Sequence, residues 1–364
     1  MKRTTADLHV SNVPSPILLE AAGKRCFVSD ATDPIERRIA RAEYLAKLRY
    51  LMPLGGKSIS EVEERDIYVT VRDNYEVRVR IYTPTGGRRL QGGGPLMLMF
   101  HEGGWTAGDL SDEELNCRLF AREFGAVCGN VEYRTDHRLA PEAYFPTWIH
   151  DCIDVTKWVT ENAVSLGAEP SKGFIVGGSS AGGNISAVLA QLSRLGYFKV
   201  PITGQYLSVP LIAPLELYPQ KYKEDLLSPY ENMNDPVLRY VGAQRLKDLQ
   251  TRLNVDTESN LFSPLARPSY PPSLVEDTFP LAPAYMQVAG LDPLRDHALI
   301  YDRILRDEFE VETKVDLYDG FGHMFWTNWP ELKESHAFVD DTVKGIRWLL
   351  EHGKSVAAAG KTRD

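Results

Sequence analysis

A glycine-flanked serine, an aspartate closing an apolar run and a histidine in a Gly-Phe-Gly-His turn are the parts that nucleophilic catalysis at a carbonyl requires. Gly178, Ser179, Ser180, Ala181 and Gly182 spell GxSxG, with the apolar run Gly173, Phe174, Ile175, Val176 just before it. Ile185, Val188, Leu189 and Leu192 follow at helical spacing. Strand, tight turn and helix in that order make a nucleophile elbow, which presents a serine hydroxyl at the end of a sheet. Small residues suit the turn because strand and helix approach closely there and the serine backbone is strained. Ser180 is therefore the expected nucleophile.

A serine hydroxyl at its ordinary pKa is a poor nucleophile, so it needs a base and a carboxylate to orient that base. Ala289, Gly290, Leu291 and Asp292 end an apolar strand; Gly320, Phe321, Gly322 and His323 end the next strand, 312–317. Both side chains are expected at the sheet edge that carries Ser180. Asp296 competes with Asp292 for the orienting role, but it lies about one helical turn further on, where it suits a cap or a loop support. Of the 8 histidines, His101 and His323 stand beside glycines at strand ends. His9, His137, His150, His297, His336 and His352 fall in segments read as loops or polar helix faces, where solvation is expected.

Attack on a carbonyl builds negative charge on its oxygen, and backbone amides already aimed at that oxygen stabilise it. His101, Glu102, Gly103, Gly104 and Trp105 follow the apolar run 96–100. Gly103 and Gly104 have no side chain to keep a ligand from their amides, and Ala181, next to the nucleophile, supplies a third donor. These three are the expected oxyanion hole.

The elements that must position these residues are legible in outline. Asp33 and Pro34 are a helix start, and Ile35, Ile39, Ala42, Leu45, Leu48 and Met52 repeat at helical spacing. Alternation from 61 to 83 predicts an antiparallel hairpin, with Ile67, Val69 and Val71 on one strand, a turn at Asp73 and Asn74, and Val77, Val79 and Ile81 on the other. The apolar runs 96–100, 126–131, 174–176, 204–211 and 284–288 read as buried strands separated by helices, the signature of a parallel sheet covered on both faces. Such sheets bind ligands beyond the carboxyl ends of their strands. Between Pro214 and Pro280, prolines and Tyr218, Tyr222, Tyr230 and Tyr240 interrupt short helical pieces, as in a lid inserted between core strands.

Composition narrows the function. The 364 residues suffice for one large α/β domain with an accessory piece, and a net charge of -9 without charge blocks disfavours nucleic acid. No apolar stretch reads as a signal peptide or a membrane span, so no integral membrane association and a cytoplasmic location are expected. Cys26, Cys117, Cys128 and Cys152 show neither ligand spacing nor a disulfide framework, and no metal site is expected.

Taken together, HEGGW at 101–105, Arg138 to Glu142 with Phe145 and Pro146, GSSAGG from Gly178, DPLRD from Asp292 and GFGHMF from Gly320 resemble the hormone-sensitive-lipase-like branch of the α/β-hydrolases over residues 60 to 350. The chain order Ser, Asp, His is the one that superfamily uses. The resemblance implies carboxylesterase activity on short to medium acyl esters, no metal or organic cofactor, and a helical cap. Three departures bear on substrate choice. Glu102 replaces the first glycine of the oxyanion motif, Ser179 replaces the customary aspartate before the nucleophile, and the segment from Tyr133 to Arg138 carries extra residues.

The resulting expectation is an α/β-hydrolase fold with a mostly parallel central sheet, helices on both faces and a helical cap. Its segments are an N-terminal helical cap at 1–55, core at 56–213, a cap or lid insertion at 214–280, core at 281–352 and a flexible tail at 353–364. Ser180, Asp292 and His323 are the catalytic set. Glu102, Trp105, Ser179, Phe325 and Trp326 line the pocket for a small-molecule ester. A homodimer stays open. Acyl transfer, carbon-carbon cleavage or cyclisation of an elaborate metabolite on the same fold is the second reading. A non-catalytic receptor is the third, and the presence of His323 argues against it.

Overall fold

The structure is a computed structural model that describes residues 15, 34–49, 51, 61–135, 144–238, 243–266 and 279–361. The helix-start aspartate Asp33, the Arg138 to Glu142 motif, His9, His137, Cys26 and Tyr240 lie outside the described residues.

Strands β1 (Val62–Thr70) and β2 (Glu76–Pro84) form the expected hairpin, with Thr70 opposite Glu76 and Ile67 opposite Val79. Its turn uses Asn74 at φ 65°, a backbone region that asparagine tolerates better than most residues. The remaining strands are β3 (Leu96–Phe100), β4 (Val127–Val131), β5 (Phe174–Ser179), β6 (Gly204–Ser208), β7 (Ala284–Ala289) and β8 (Thr313–Tyr318). They join the hairpin in one eight-stranded sheet of order β1-β2-β4-β3-β5-β6-β7-β8. The β1–β2 and β2–β4 pairs are antiparallel, and every pair from β4 to β8 is parallel. β3 to β7 are buried along their whole length, which explains why they read as unbroken apolar runs rather than alternating ones. The 204–211 run ends as a strand at Ser208, because Val209 turns away at φ 39° and Pro210 follows.

The longer helices are α1 (Pro34–Arg49), α2 (Glu114–Phe124), α3 (Thr147–Glu161), α4 (Ala181–Arg194), α5 (Ala243–Arg252), α6 (Arg295–Glu308), α7 (Lys333–His352) and α8 (Lys354–Lys361). One core layer packs Phe120 of α2 and Ile346 and Leu349 of α7 on Met97, Met99 and Ile175 of the sheet. The other packs Ile149 and Ile153 of α3 and Ile185, Val188 and Leu189 of α4 on Leu96, Leu98 and Val176. The two sets of strand residues alternate in sequence, so they emerge on opposite faces of the sheet. Within the segment expected as a flexible tail at 353–364, residues Lys354–Lys361 form helix α8: its alanines favour helix, and Val356 is buried.

Candidate active site

Ser180 sits between β5 and α4 at φ 54°, ψ -111°, a strained conformation for a residue with a Cβ. The surroundings hold it there. Its N–H donates to Ser208 O at 2.8 Å, and its carbonyl accepts from Leu211 N at 3.3 Å and Asn184 N at 3.1 Å. A Cβ at Gly178 would stand 2.2 Å from Phe100 O, and one at Gly182 would stand 1.9 Å from the same atom. Strand β3 therefore packs against the elbow at a separation that only glycine allows.

The turn after β7 carries Asp292 and the loop after β8 carries His323, both essentially without solvent exposure. Asp292 Oδ2 lies 2.6 Å from His323 Nδ1, and His323 Nε2 lies 3.1 Å from Ser180 Oγ. Asp292 is fixed from behind: its Oδ1 accepts from Leu294 N at 2.8 Å and its carbonyl from Asn232 Nδ2 at 3.1 Å. Burial alone lowers the pKa of His323, but the charge and hydrogen bond of Asp292, with the charges of Asp235 and Glu102, outweigh it and raise it above its ordinary value. Asp296 faces elsewhere. Its carboxylate accepts from Leu227 N and Ser228 N and pairs with Arg295, the supporting role anticipated for it.

The loop after β3 is shaped by His101, whose ring stacks on Tyr133 at 3.9 Å and whose Nδ1 lies 2.8 Å from Glu102 O. Tyr133 Oη donates to His101 O at 2.9 Å. Gly103 and Gly104 follow at φ 115° and 60°. Among the described residues neither of their amides has a backbone acceptor. Ala181 opens α4, so its N–H has no acceptor in the helix ladder and the positive end of the helix dipole lies beside Ser180.

A cavity of about 590 Å³ opens over these groups. Ser180, His323, Glu102, Gly103, Gly104 and Trp105 all line it. Three expected pocket residues do not. Phe325 and Trp326 pack instead into an aromatic cluster, with Trp326 stacked on Phe338 at 3.7 Å, because Met324 at φ 53° turns the short helix Phe325–Asn328 back on α7. Ser179 points beneath the elbow, where its N–H and hydroxyl both donate to Glu113 Oε1 at 3.1 and 3.0 Å. His297 also departs from expectation: it is buried against Tyr218 from the insertion, Oη to Nδ1 2.8 Å, and burial pushes its pKa down to about 4.

Three neighbours of the site escape sequence reasoning. Asp235 Oδ2 accepts the His323 N–H at 2.7 Å, in a space that a Cβ at Gly322 would fill, 2.1 Å from that oxygen. Arg41 of α1 donates to Glu102 Oε1 at 2.8 Å. Glu113 backs Ser179 and the elbow from the start of α2. Among the described residues no His, Cys, Asp and Glu cluster could hold a metal ion, and no helix is long and apolar enough to cross a membrane.

Comparison with known proteins agrees with this architecture. A family model described as the α/β-hydrolase fold matches residues 97–327. An AB hydrolase superfamily protein of Schizosaccharomyces pombe is 32% identical, covering 81% of this chain and 82% of its own. Versiconal hemiacetal acetate esterase of Dothistroma septosporum is 31% identical, covering 86% and 89%. Among solved structures, vibralactone cyclase superposes with a TM-score of 0.80 at 27% identity, covering 94% of this chain and 96% of that one. An esterase of Pyrobaculum calidifontis superposes with a TM-score of 0.71 at 28% identity, covering 92% and 99%. The chain belongs to the α/β-hydrolase-fold family, in its hormone-sensitive-lipase-like carboxylesterase branch, and is an esterase-type hydrolase.

Proposed function

We propose that the protein hydrolyses small-molecule carboxylic esters through an acyl-enzyme on Ser180. His323 Nε2 takes the Ser180 proton as Oγ attacks the carbonyl carbon. Asp292 holds the ring in the tautomer that leaves Nε2 free and stabilises the imidazolium that forms. The amides of Gly103, Gly104 and Ala181 receive the oxyanion, each donor being worth about 10²- to 10³-fold in rate. His323 then protonates the leaving alcohol, and a water activated by the same imidazole releases the acid. Helix α5, with Val237 and Leu238 before it, serves as the lid over the acyl and alcohol groups.

The observation that carries this reading is the continuous run of contacts from Asp292 Oδ2 through both ring nitrogens of His323 to Ser180 Oγ. Replacing Ser180 with alanine should cut kcat/KM for p-nitrophenyl acetate by about 10³-fold or more. Retained activity in that variant removes Ser180 from the role.

The likeness to vibralactone cyclase, with a TM-score of 0.80, supports a second reading, in which a hydroxyl within the substrate intercepts the acyl group. Product analysis separates the two. A substrate bearing an internal hydroxyl would yield a lactone in place of the free acid, whereas a hydrolase returns acid and alcohol.

A further inference from the structure

The cavity beside Ser180 is mainly apolar, with Leu211, Leu246 and Leu249 in its walls, yet it carries paired charges. Arg41 and Glu102 both line it and form an ion pair in which the Glu102 side chain is 4% exposed and the Arg41 side chain 26%. Glu102 immediately precedes Gly103 and Gly104. A carboxylate so buried is costly without a counter-charge, and one beside a developing oxyanion opposes the charge the hole must receive. Asp248 and Arg252, one turn apart on α5, add one charge of each sign to the lining.

We propose that the Arg41–Glu102 pair sets the charge selectivity of this cavity, admitting uncharged esters and disfavouring those whose acyl group carries a carboxylate or a quaternary ammonium. An anionic acyl group must compete with Glu102 for Arg41, and a cationic one with Arg41 for Glu102. In either case the gain is offset by a weakened ion pair, so the intact pair returns little to a charged substrate. Removing one partner gives the wall a net charge of known sign.

This inference rests on ester hydrolysis at Ser180, and the experiment keeps the two apart. The probes are three p-nitrophenyl esters: the butyrate, the hemisuccinate and the 4-(trimethylammonio)butyrate. Their kcat/KM values are measured for the unaltered protein, Arg41→Gln, Glu102→Gln and the double variant. In the unaltered protein the butyrate should be preferred over both charged esters. Arg41→Gln should raise the cationic-to-anionic ratio by about 5- to 10-fold, the size of one charge pair acting across several ångströms of partly solvated space. Glu102→Gln should lower that ratio by a similar factor, and the double variant should restore it to within about twofold. Ratios between substrates cancel any loss of folded enzyme. Ratios that stay fixed, or that move the same way in both single variants, overturn the proposal. Failure of the unaltered protein to turn over any ester through Ser180 overturns the hydrolase reading instead.

Discussion

Glu113 offers a test of the electrostatics beneath Ser180. Its carboxyl is buried, accepting from Ser179 N and Ser179 Oγ through one oxygen and from Asn116 Nδ2 at 2.6 Å through the other. Burial outweighs these hydrogen bonds and pushes its pKa up to about 8. In an unfolded chain the same group titrates near about 4.3. Between those values the folded protein holds the proton more tightly than the unfolded chain, so stability falls as pH rises from the lower value toward the upper. At 1.36 kcal/mol per pKa unit, the cost is about 2 kcal/mol at pH 6 and about 4 kcal/mol at pH 7.5. Glu113→Gln keeps an oxygen for Ser179 but cannot ionise, so this term vanishes. Urea unfolding of both proteins at pH 6.0 and 7.5 should show the variant gaining about 2 kcal/mol on the parent across that interval. A stability gap that is the same at both pH values, within about 0.5 kcal/mol, would refute the reasoning, because it would mean that Glu113 is already ionised beneath the elbow.

Two further outcomes follow from the same contacts. Asp235 is buried, and burial followed by the Asp292 charge pushes its carboxyl up to about 6. Asp235→Asn retains an acceptor for the His323 N–H but removes a negative charge that favours the imidazolium. Under the proposed mechanism His323 must be neutral to act as base, so the acid limb of the kcat/KM profile for p-nitrophenyl acetate should move to lower pH; an unmoved or raised limb would count against Asp235 as a positioning residue. Gly182→Ala would drive a Cβ to 1.9 Å from Phe100 O and 2.9 Å from His101 O, both backbone atoms. It should cost more than about 4 kcal/mol, read as loss of soluble protein or a Tm lower by well over about 5 °C. A near-normal Tm would mean that β3 and α4 can separate at the elbow.

What the sequence discloses and what it hides divide along a physical line. The buried strands read correctly because each is a short continuous apolar run, and Ser180, Asp292 and His323, which the structure brings within hydrogen-bonding distance of one another, stand out in the sequence because each follows a strand at a glycine-marked turn. Asp235, Arg41 and Glu113 carry no such mark. Each is one charged residue in a polar or irregular stretch, and its partner lies 88, 61 and 66 positions away. Phe325 and Trp326 mislead for the opposite reason: adjacency to His323 says nothing about direction, which the left-handed turn at Met324 decides. His297 was expected in water because it lies on a polar-looking helix. Tyr218, 79 positions earlier, covers it.

The same line separates chemistry from selectivity. Ser180, Asp292, His323 and the Gly103–Gly104 loop hang from the ends of β5, β7, β8 and β3, and at the elbow the close approach of β3 to Gly178 and Gly182 leaves no room for a Cβ. Much of the remaining cavity wall comes from elsewhere: Arg41 from α1, and Leu246, Asp248, Leu249 and Arg252 from α5. A substitution at Leu249 changes cavity shape without touching a strand of the sheet, while one at Gly182 costs the fold. Asp235 is the exception that ties the two parts together, because it belongs to the insertion yet holds the backbone of His323. Under the proposed mechanism, a movement of this segment to admit a larger ester would act on His323 as well as on the pocket, so a change of acyl chain length should alter kcat together with KM.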